Sequence, residues 1–362
     1  MVTYPKLKVA AAHVAPVFLD AARTTDKACA LIREAARAGA RLVAFPESFV
    51  PGFPVWAGVQ APIRNHDYFK RLAASSVSVP GQEVDRLRAA AREHAVLVSI
   101  GISERGPASV GCLWNSNLLI GEDGALLNHH RKLVPTFYEK LVWANGDGEG
   151  LRVCDTPVGR VGMLICGENT NPLARYALIA QGEQVHVSSY PPVWPTREPG
   201  EKGRYDLASA IRIRAGAHSF EGKLFNVVAS AFLDRSALEA LPDLDAAAQR
   251  TLRESPRGVS MVIGPSGEVL GDTLCEEEGL LYRDIDLADC VEPKQFHDIV
   301  GYYNRFDIFE LNVRRHRSRP VAFQDSVELP AAAPGDSHGR QEDPDRDAHL
   351  PKDDAARLYR AV

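Results

Sequence analysis

Apolar residues recur along this chain in two rhythms. Short apolar or β-branched runs stand at 7–14 (LKVAAAHV), 41–45 (RLVAF), 95–101 (AVLVSIG), 116–121 (SNLLIG), 161–166 (VGMLIC), 184–189 (QVHVSS), 225–232 (FNVVASAF) and 260–264 (SMVIG). Each is predicted as a strand. Between the first two, DAARTTDKACALIREAARAG (20–39) places Ala28, Leu31, Ile32 and Ala35 on one helical face. Asp20 is placed to cap that helix and Gly39 to end it. GQEVDRLRAAAREHA (81–95) repeats the helical rhythm through Val84, Leu87 and Ala91 before the third strand. Helices alternating with strands predict an α/β architecture.

Two stretches echo one another, LLIGEDGALL (118–127) and MVIGPSGEVL (261–270), each an apolar run, a glycine turn and a second apolar run. Both are predicted as β-hairpins, and CDTPVGRVGMLIC (154–166) as a third. Hairpins interleaved with helical crossovers require mixed sheets, which weighs against a doubly wound dinucleotide fold. No G-x-G-x-x-G or G-x-x-x-x-G-K-[ST] phosphate loop follows any strand. Beyond about residue 329 the chain turns to PAAAPGDSHGRQEDPDRDAHLPKDD, rich in proline, glycine and charge, which predicts disorder in isolation.

Composition narrows the class. The 362 residues are 45% hydrophobic and 25% charged, enough to bury a large core in one big domain or two modest ones. A net charge of -5 supplies no basic field, and NVRRHRSRP (312–320) is too local to make nucleic acid a partner. No run approaches the roughly 18 apolar residues of a membrane span, and the start has neither the long apolar stretch nor the cleavage site of a signal peptide. A cytoplasmic protein is the expectation. Cys29, Cys112, Cys154, Cys166, Cys275 and Cys290 are scattered without a C-x-x-C pair, which suits neither a disulfide framework nor a zinc site.

Three short segments hold the candidate chemistry. LICGENTNPLARYAL (164–178) ends a strand at Cys166 and starts a helix at Pro172, with Asn171 as its cap. A tight strand-to-helix turn can expose a nucleophile above a sheet. Alone, Cys166 reads first as a buried structural thiol. LVAFPESFVPGFP (42–54) presents Glu47 at a strand end, where a carboxylate can take a proton from a thiol and return it to a leaving amine. HHRKLVPTFYEKLVW (129–143) offers Lys132 as a fixed cation for developing negative charge, and Glu139 seven residues on. Each is weak by itself; together they supply base, cation and nucleophile.

The order and wording of FPES, HRKLVPT, the following YEK and ICGENTNPLARYAL strongly resemble the nitrilase superfamily of carbon-nitrogen hydrolases. Through HRKLVPT, NPLARYAL, QGEQVHVSSYPP and GDGEGL the likeness is closest to the true nitrilase branch of bacterial type, and it runs from about residue 6 to about 315. The resemblance implies an α-β-β-α sandwich with two mixed sheets, pairing into an α-β-β-α-α-β-β-α homodimer or a larger spiral homo-oligomer. It implies a catalytic domain over 1–320, with the tail over 321–362 disordered or used in oligomer contacts. It implies Cys166 as nucleophile, Glu47 as general base, Lys132 as stabiliser of negative charge and Glu139 as a second acid. It further implies a small nitrile and water as substrates, with no metal and no organic cofactor.

Glu168 is expected to hold the turn rather than to react. Phe53, Trp56, Gly167, Tyr190 and Trp194 are the candidate substrate-pocket residues, with ordinary aromatic packing as the competing reading of the four aromatics. Gly167 departs from the tryptophan many relatives carry, Tyr302 stands where histidine is usual and Phe306 where proline is usual. A related amidase or cyanide dihydratase is the nearest enzymatic alternative. A catalytically silent assembly or binding protein is the alternative of a different class.

Overall fold

The computed structural model describes residues 4–317. Two sheets account for the predicted strands. The first comprises β1 (Lys6–His13), β2 (Ala40–Ala44), β3 (Leu97–Arg105), β4 (Leu113–Ile120), β5 (Leu126–Arg131) and, from late in the chain, β11 (Gly279–Asp286). The second comprises β6 (Cys154–Thr156), β7 (Gly159–Ile165), β8 (Val185–Tyr190), β9 (Phe225–Ser230) and β10 (Met261–Ile263). Their spatial orders are β11-β1-β2-β3-β4-β5 and β10-β9-β8-β7-β6. Each sheet has a parallel centre and antiparallel edges: β1-β2-β3 and β7-β8-β9 run parallel, while β11, β4, β5, β6 and β10 join antiparallel. The sheets are therefore mixed.

The alternation along β1 shows how the layers form. Leu7, Val9 and Ala11 point into the core between the sheets, against Met163, Val187 and Val227. Ala10 and Ala12 point the other way, under Ile32 and Ala35 of α1 (Ala21–Arg37) and beside the cluster that includes Leu87. The remaining helices are α2 (His66–Ser75), α3 (Gln82–His94), α4 (Pro172–Ile179), α5 (Leu207–Gly222), α6 (Arg235–Glu239), α7 (Ala246–Glu254) and α8 (Val291–Phe296). α5 covers the second sheet through Leu207, Ile211 and Ala215, and α4 through Ala174 and Leu178. This is the α-β-β-α sandwich that the resemblance implied. As predicted, Asp20 caps α1 by accepting from the Arg23 amide at 2.9 Å, and Gly39 follows its end at φ +85°.

Three features differ from the sequence reading. β11 was not predicted: Leu281 and Ile285 are buried, but Arg283, Asp284 and Asp286 interrupt the run. Charge on an edge strand blunts unwanted pairing and also hides the strand. α2, α6 and α7, which enclose an aromatic cluster beside the site, were not predicted either. The hairpin expected over 261–270 closes through one bridge, Ile263 opposite Val269, and its return arm forms no strand. The tail assigned to 321–362 lies outside the described residues. Among those described, no helix is long and apolar enough to cross a membrane.

Ile32 is fully buried between α1 and the first sheet, in a different core cluster from Cys166. Ile32→Ala is expected to lower unfolding free energy by about 2–5 kcal/mol, measured by urea denaturation.

Candidate active site

Glu47 lies on the segment that leaves β2 and runs along β3. The Phe45 amide donates to the Ser99 carbonyl at 2.7 Å, Val50 to Gly101 at 3.1 Å, and Ser103 to Val50 at 2.8 Å. Such close stitching needs Gly101, because a Cβ there would stand 2.3 Å from the Pro46 carbonyl oxygen. The carboxylate of Glu47 is fully buried, and its Oε1 accepts from Asn115 Nδ2 and from Lys132 Nζ, both at 2.7 Å.

Lys132 follows β5, and its own amide donates to the Asn115 carbonyl at 2.8 Å. Asn115 thus fixes both the base and the backbone that carries the cation. On its other side Lys132 Nζ donates to Glu139 Oε2 at 2.6 Å. Glu139 sits on a single 3₁₀ turn, Phe137–Leu141, where it also accepts from the Thr136 amide at 3.0 Å in a capping box. An ammonium is therefore held between two carboxylates with all three side chains fully buried.

Cys166 closes β7 with φ +49°, a left-handed conformation that costs a non-glycine residue on the order of 1–3 kcal/mol. A short 3₁₀ turn, Cys166–Thr170, leads to Asn171, whose Oδ1 accepts from the Leu173 and Ala174 amides and starts α4 at Pro172. The Cys166 thiol and the oxygens of Glu47 and Glu139 lie within 4.8 Å of one another. Acceptors at this spacing are of the kind that hold a metal, but Lys132 Nζ already stands between the two carboxylates and neutralises one of their charges.

Electrostatics assign the protons. Burial pushes the Glu47 carboxyl up to about 7, the Lys132 ammonium opposes this, and the Glu139 charge adds to it. Lys132 feels burial against its charge, but Glu139 and Glu47 outweigh it and hold the ammonium well above its ordinary range. Burial raises the Cys166 thiol well above 9, reinforced by Glu47 and opposed by Lys132. A thiol so raised rests protonated, and it depends on a neighbouring base to become a thiolate. Glu47 titrates in the range suited to that task.

Glu168 holds the elbow together. Its Oε2 accepts from the Ile165 amide and from His130 Nε2, both at 2.9 Å, while its Oε1 accepts from the Leu133 amide at 2.5 Å. One buried carboxylate thereby ties the nucleophile's turn to the residue after Lys132. Burial alone would raise its pKa, but His130 and the two amides bring it below the ordinary value.

The pocket candidates divide. Tyr190 is fully buried with its hydroxyl unpaired, and Cys166 lies among the groups whose charge it feels. Trp194 stacks on Tyr138 at 5.4 Å between ring centres, and the Tyr138 hydroxyl, also unpaired, feels Glu139, Cys166 and Glu47. Phe53 packs edge-on against Trp143 and borders a narrow space shared with Glu47. Trp56 stacks on Tyr68 inside the aromatic cluster. Gly167 lines a separate open cleft of about 310 Å³ with Leu133, Thr136, Phe137, Lys140 and Asn171. Tyr302 and Phe306 are exposed on the segment after α8.

Sequence reasoning passed over Asn115, Asn169 and Tyr138. The only trace of Asn115 was the polar trio Asn115, Ser116 and Asn117 within a strand of apolar ends, and Asn169 was masked by the more familiar NP that follows it. Tyr138 lay inside the quoted YEK neighbourhood without a reason to single it out.

Comparison with known proteins identifies the family. The sequence model of the family described as Carbon-nitrogen hydrolase matches residues 8–295. The chain is 39% identical over 326 residues to a protein of Rhodococcus rhodochrous named aliphatic nitrilase, covering 89% of this chain and 86% of that one. It is 35% identical over 326 residues to an arylacetonitrilase of Hypocrea virens, covering 89% and 96%. In fold it resembles the crystal structure of Saccharomyces cerevisiae Nit3, a nitrilase superfamily member, with a TM-score of 0.63 at 18% identity over 84% of this chain and 97% of that one.

Glu168→Ala would strand the Ile165 and Leu133 amides and His130 without their shared acceptor. Loss of such a buried partner is expected to cost about 3–5 kcal/mol of stability, read by denaturant unfolding, together with a fall in turnover.

Proposed function

This chain belongs to the carbon-nitrogen hydrolase family, and from that premise we propose that it hydrolyses an organic nitrile to the carboxylic acid and ammonia through a covalent intermediate on Cys166. One observation carries the reading. A protonated thiol lies within 4.8 Å of a carboxylate that titrates near neutrality, and that carboxylate is hydrogen-bonded to a buried ammonium.

In this mechanism Glu47 takes the thiol proton, and the thiolate adds to the nitrile carbon. One π-bond pair of the C≡N group moves to nitrogen, and protonation there leaves a thioimidate. Lys132 and a backbone amide near Gly167 stabilise the charge growing on nitrogen. Water activated by Glu47 adds to the thioimidate carbon, and nitrogen departs as ammonia carrying the returned proton. The resulting thioester takes up a second water, which releases the acid and restores the thiol. Two waters are consumed for each nitrile. Glu139, hydrogen-bonded to Lys132, fixes the cation and has its second oxygen free of partners to orient a water. If the tetrahedral species expels the thiol before ammonia, the product is an amide.

The same reading takes the enzyme as cytoplasmic and homo-oligomeric. Phe296, Tyr303, Phe306 and Phe309 are each about two-thirds to three-quarters exposed along one segment, an apolar surface of the kind a second copy would cover. Tyr190, Trp194 and Tyr138 supply the aromatic wall for the substrate's organic group, and the Tyr190 and Tyr138 hydroxyls supply donors.

Ammonia release from a panel of aliphatic nitriles, arylacetonitriles, amides and cyanide is expected to identify nitriles as substrates. Turnover of amides alone, or of cyanide alone, would overturn the reading, as would activity retained by Cys166→Ala. A silent binding protein would leave no covalent adduct on Cys166 by mass spectrometry.

The acid limb of kcat/KM is expected near pH 7. Below it Glu47 is protonated and cannot accept the thiol proton, so the rate should fall about tenfold per pH unit, while Lys132 stays charged throughout. A pH profile with a plateau extending down to pH 5 would remove Glu47 from the role of base.

A further inference from the structure

A second buried ionisable cluster lies behind the nucleophile turn. Glu183, His186 and His218 are each no more than 1% exposed. Glu183 Oε1 pairs with His186 Nδ1 at 2.6 Å and Oε2 with His218 Nε2 at 2.7 Å. Gly162 on β7 makes room for this carboxylate, since a Cβ there would lie 2.0 Å from Glu183 Oε1. The two imidazoles stack with centres 3.9 Å apart and planes 25° from parallel. Nearly parallel rings aim their nitrogens side by side, which matches the two oxygens of one carboxylate. A tetrahedral metal would instead need lone pairs that converge.

The cluster reaches the nucleophile through one side chain. His186 Nε2 lies 3.0 Å from Asn169 Oδ1, which also accepts from Ser188 Oγ at 3.1 Å. Asn169 Nδ2 donates to the Cys166 carbonyl at 3.1 Å and to the Leu164 carbonyl at 3.3 Å. These two carbonyls settle which end of the amide is which. Both nitrogens of His186 therefore face acceptors, so both carry hydrogen, and the buried cation is balanced by Glu183. The two histidines outweigh burial and hold Glu183 at about 2. Burial, with the His186 charge, holds His218 down at about 4, so a single hydrogen on its Nε2 meets the carboxylate.

We propose that Glu183, His186 and Asn169 form a positioning relay for the nucleophile, in which the Glu183-bound imidazolium fixes the face of the Asn169 amide, and that amide fixes the carbonyls of the left-handed elbow at Cys166. This rests on the reading of Cys166 as the nucleophile. The physical need is clear from the backbone. Cys166 at φ +49° persists only if its surroundings over-determine it. Glu168 secures the amide side of the turn, and Asn169 secures the carbonyl side. Without the His186 Nε2 hydrogen, a ring lone pair would oppose Asn169 Oδ1. The amide would then turn over and set an oxygen against the Cys166 carbonyl.

Two readouts in the full-length enzyme separate positioning from simple support. The first is the alkylation rate of Cys166 by iodoacetamide, resolved by peptide mass spectrometry, with buried Cys154 and Cys290 as internal standards for global loosening. The second is kcat and KM on a nitrile that the wild-type enzyme turns over. Glu183→Gln is expected to lower Cys166 alkylation and kcat together by about tenfold, with KM within about twofold and Cys154 and Cys290 as slow as before. Ser188→Ala keeps the ion pair and removes one hydrogen bond to Asn169, so both rates should fall by about threefold; it decides the matter if Glu183→Gln does not fold. Unchanged Cys166 alkylation in the folded variants, or acceleration at Cys154 and Cys290, would overturn the relay. If the wild-type enzyme turned over no nitrile, the functional reading would fall while alkylation still tested the elbow.

Discussion

The ammonium of Lys132 between the carboxylates of Glu47 and Glu139 is the contact around which the rest of the site is arranged. Burying an ion costs several kcal/mol even after relaxation, and an unpaired buried charge is among the most destabilising features a core can hold. These three groups, contributed by three separate segments, satisfy one another only if those segments meet within hydrogen-bond distance. Much of the local structure follows from that demand. Gly101 lets the Glu47 segment lie directly on β3, Asn115 binds Glu47 and Lys132 together, and Gly146 lets its own chain come close behind Lys132, donating to the Lys132 carbonyl at 2.9 Å. The triad carries a net negative charge. Burial raises both Glu47 and the Cys166 thiol, Lys132 opposes the shift of each and Glu139 adds to it, which leaves the site able to move one proton between them.

Three of the six non-glycine residues with positive φ among those described stand at this arrangement. Ser48, Phe137 and Cys166 all have positive φ: Ser48 follows Glu47, Phe137 opens the turn that carries Glu139, and Cys166 supplies the thiol beside them. No glycine supplies these conformations, so the surroundings must enforce them. At the Cys166 turn one design appears twice: a buried polar side chain spans the turn and is itself anchored by a buried histidine. Glu168 is anchored by His130, and Asn169 by His186. A fold that spends stability in this way gains reactive groups that are already placed before substrate arrives.

How far the sequence disclosed this depended on the kind of signal. The central strand β1 was legible because both its faces are buried and its apolar run over Val9–Ala12 is continuous. The edge strand β11 was not, since its charges erase the pattern. Glu47, Lys132, Glu139 and Cys166 could be picked out because charged or nucleophilic residues stood at strand ends in motifs with a family likeness, and the fold brings all four together. Their supports were illegible for a physical reason. Asn115 and Asn169 act through single hydrogen bonds across 68 and 17–19 residues of chain, and no local periodicity records such a contact. The charged residues of α5 split in the same way. His218 and Glu221 enter buried or half-buried pairs and Arg214 binds Thr170, while Arg212 stays on the surface.

Gly167 gains a different meaning from this geometry. As a candidate pocket residue it invited an account in terms of space for substrate, yet its cleft shares no lining residue with Phe53, Trp56, Tyr190 or Trp194. A Cβ at that position would stand 2.7 Å from Thr136 Oγ1. Thr136 caps the turn that presents Glu139, and Glu139 is one of the two anions that hold Lys132. The missing side chain thus lets the Cys166 turn abut the Glu139 turn, and a larger residue at 167 would have to move the Thr136 hydroxyl that caps it.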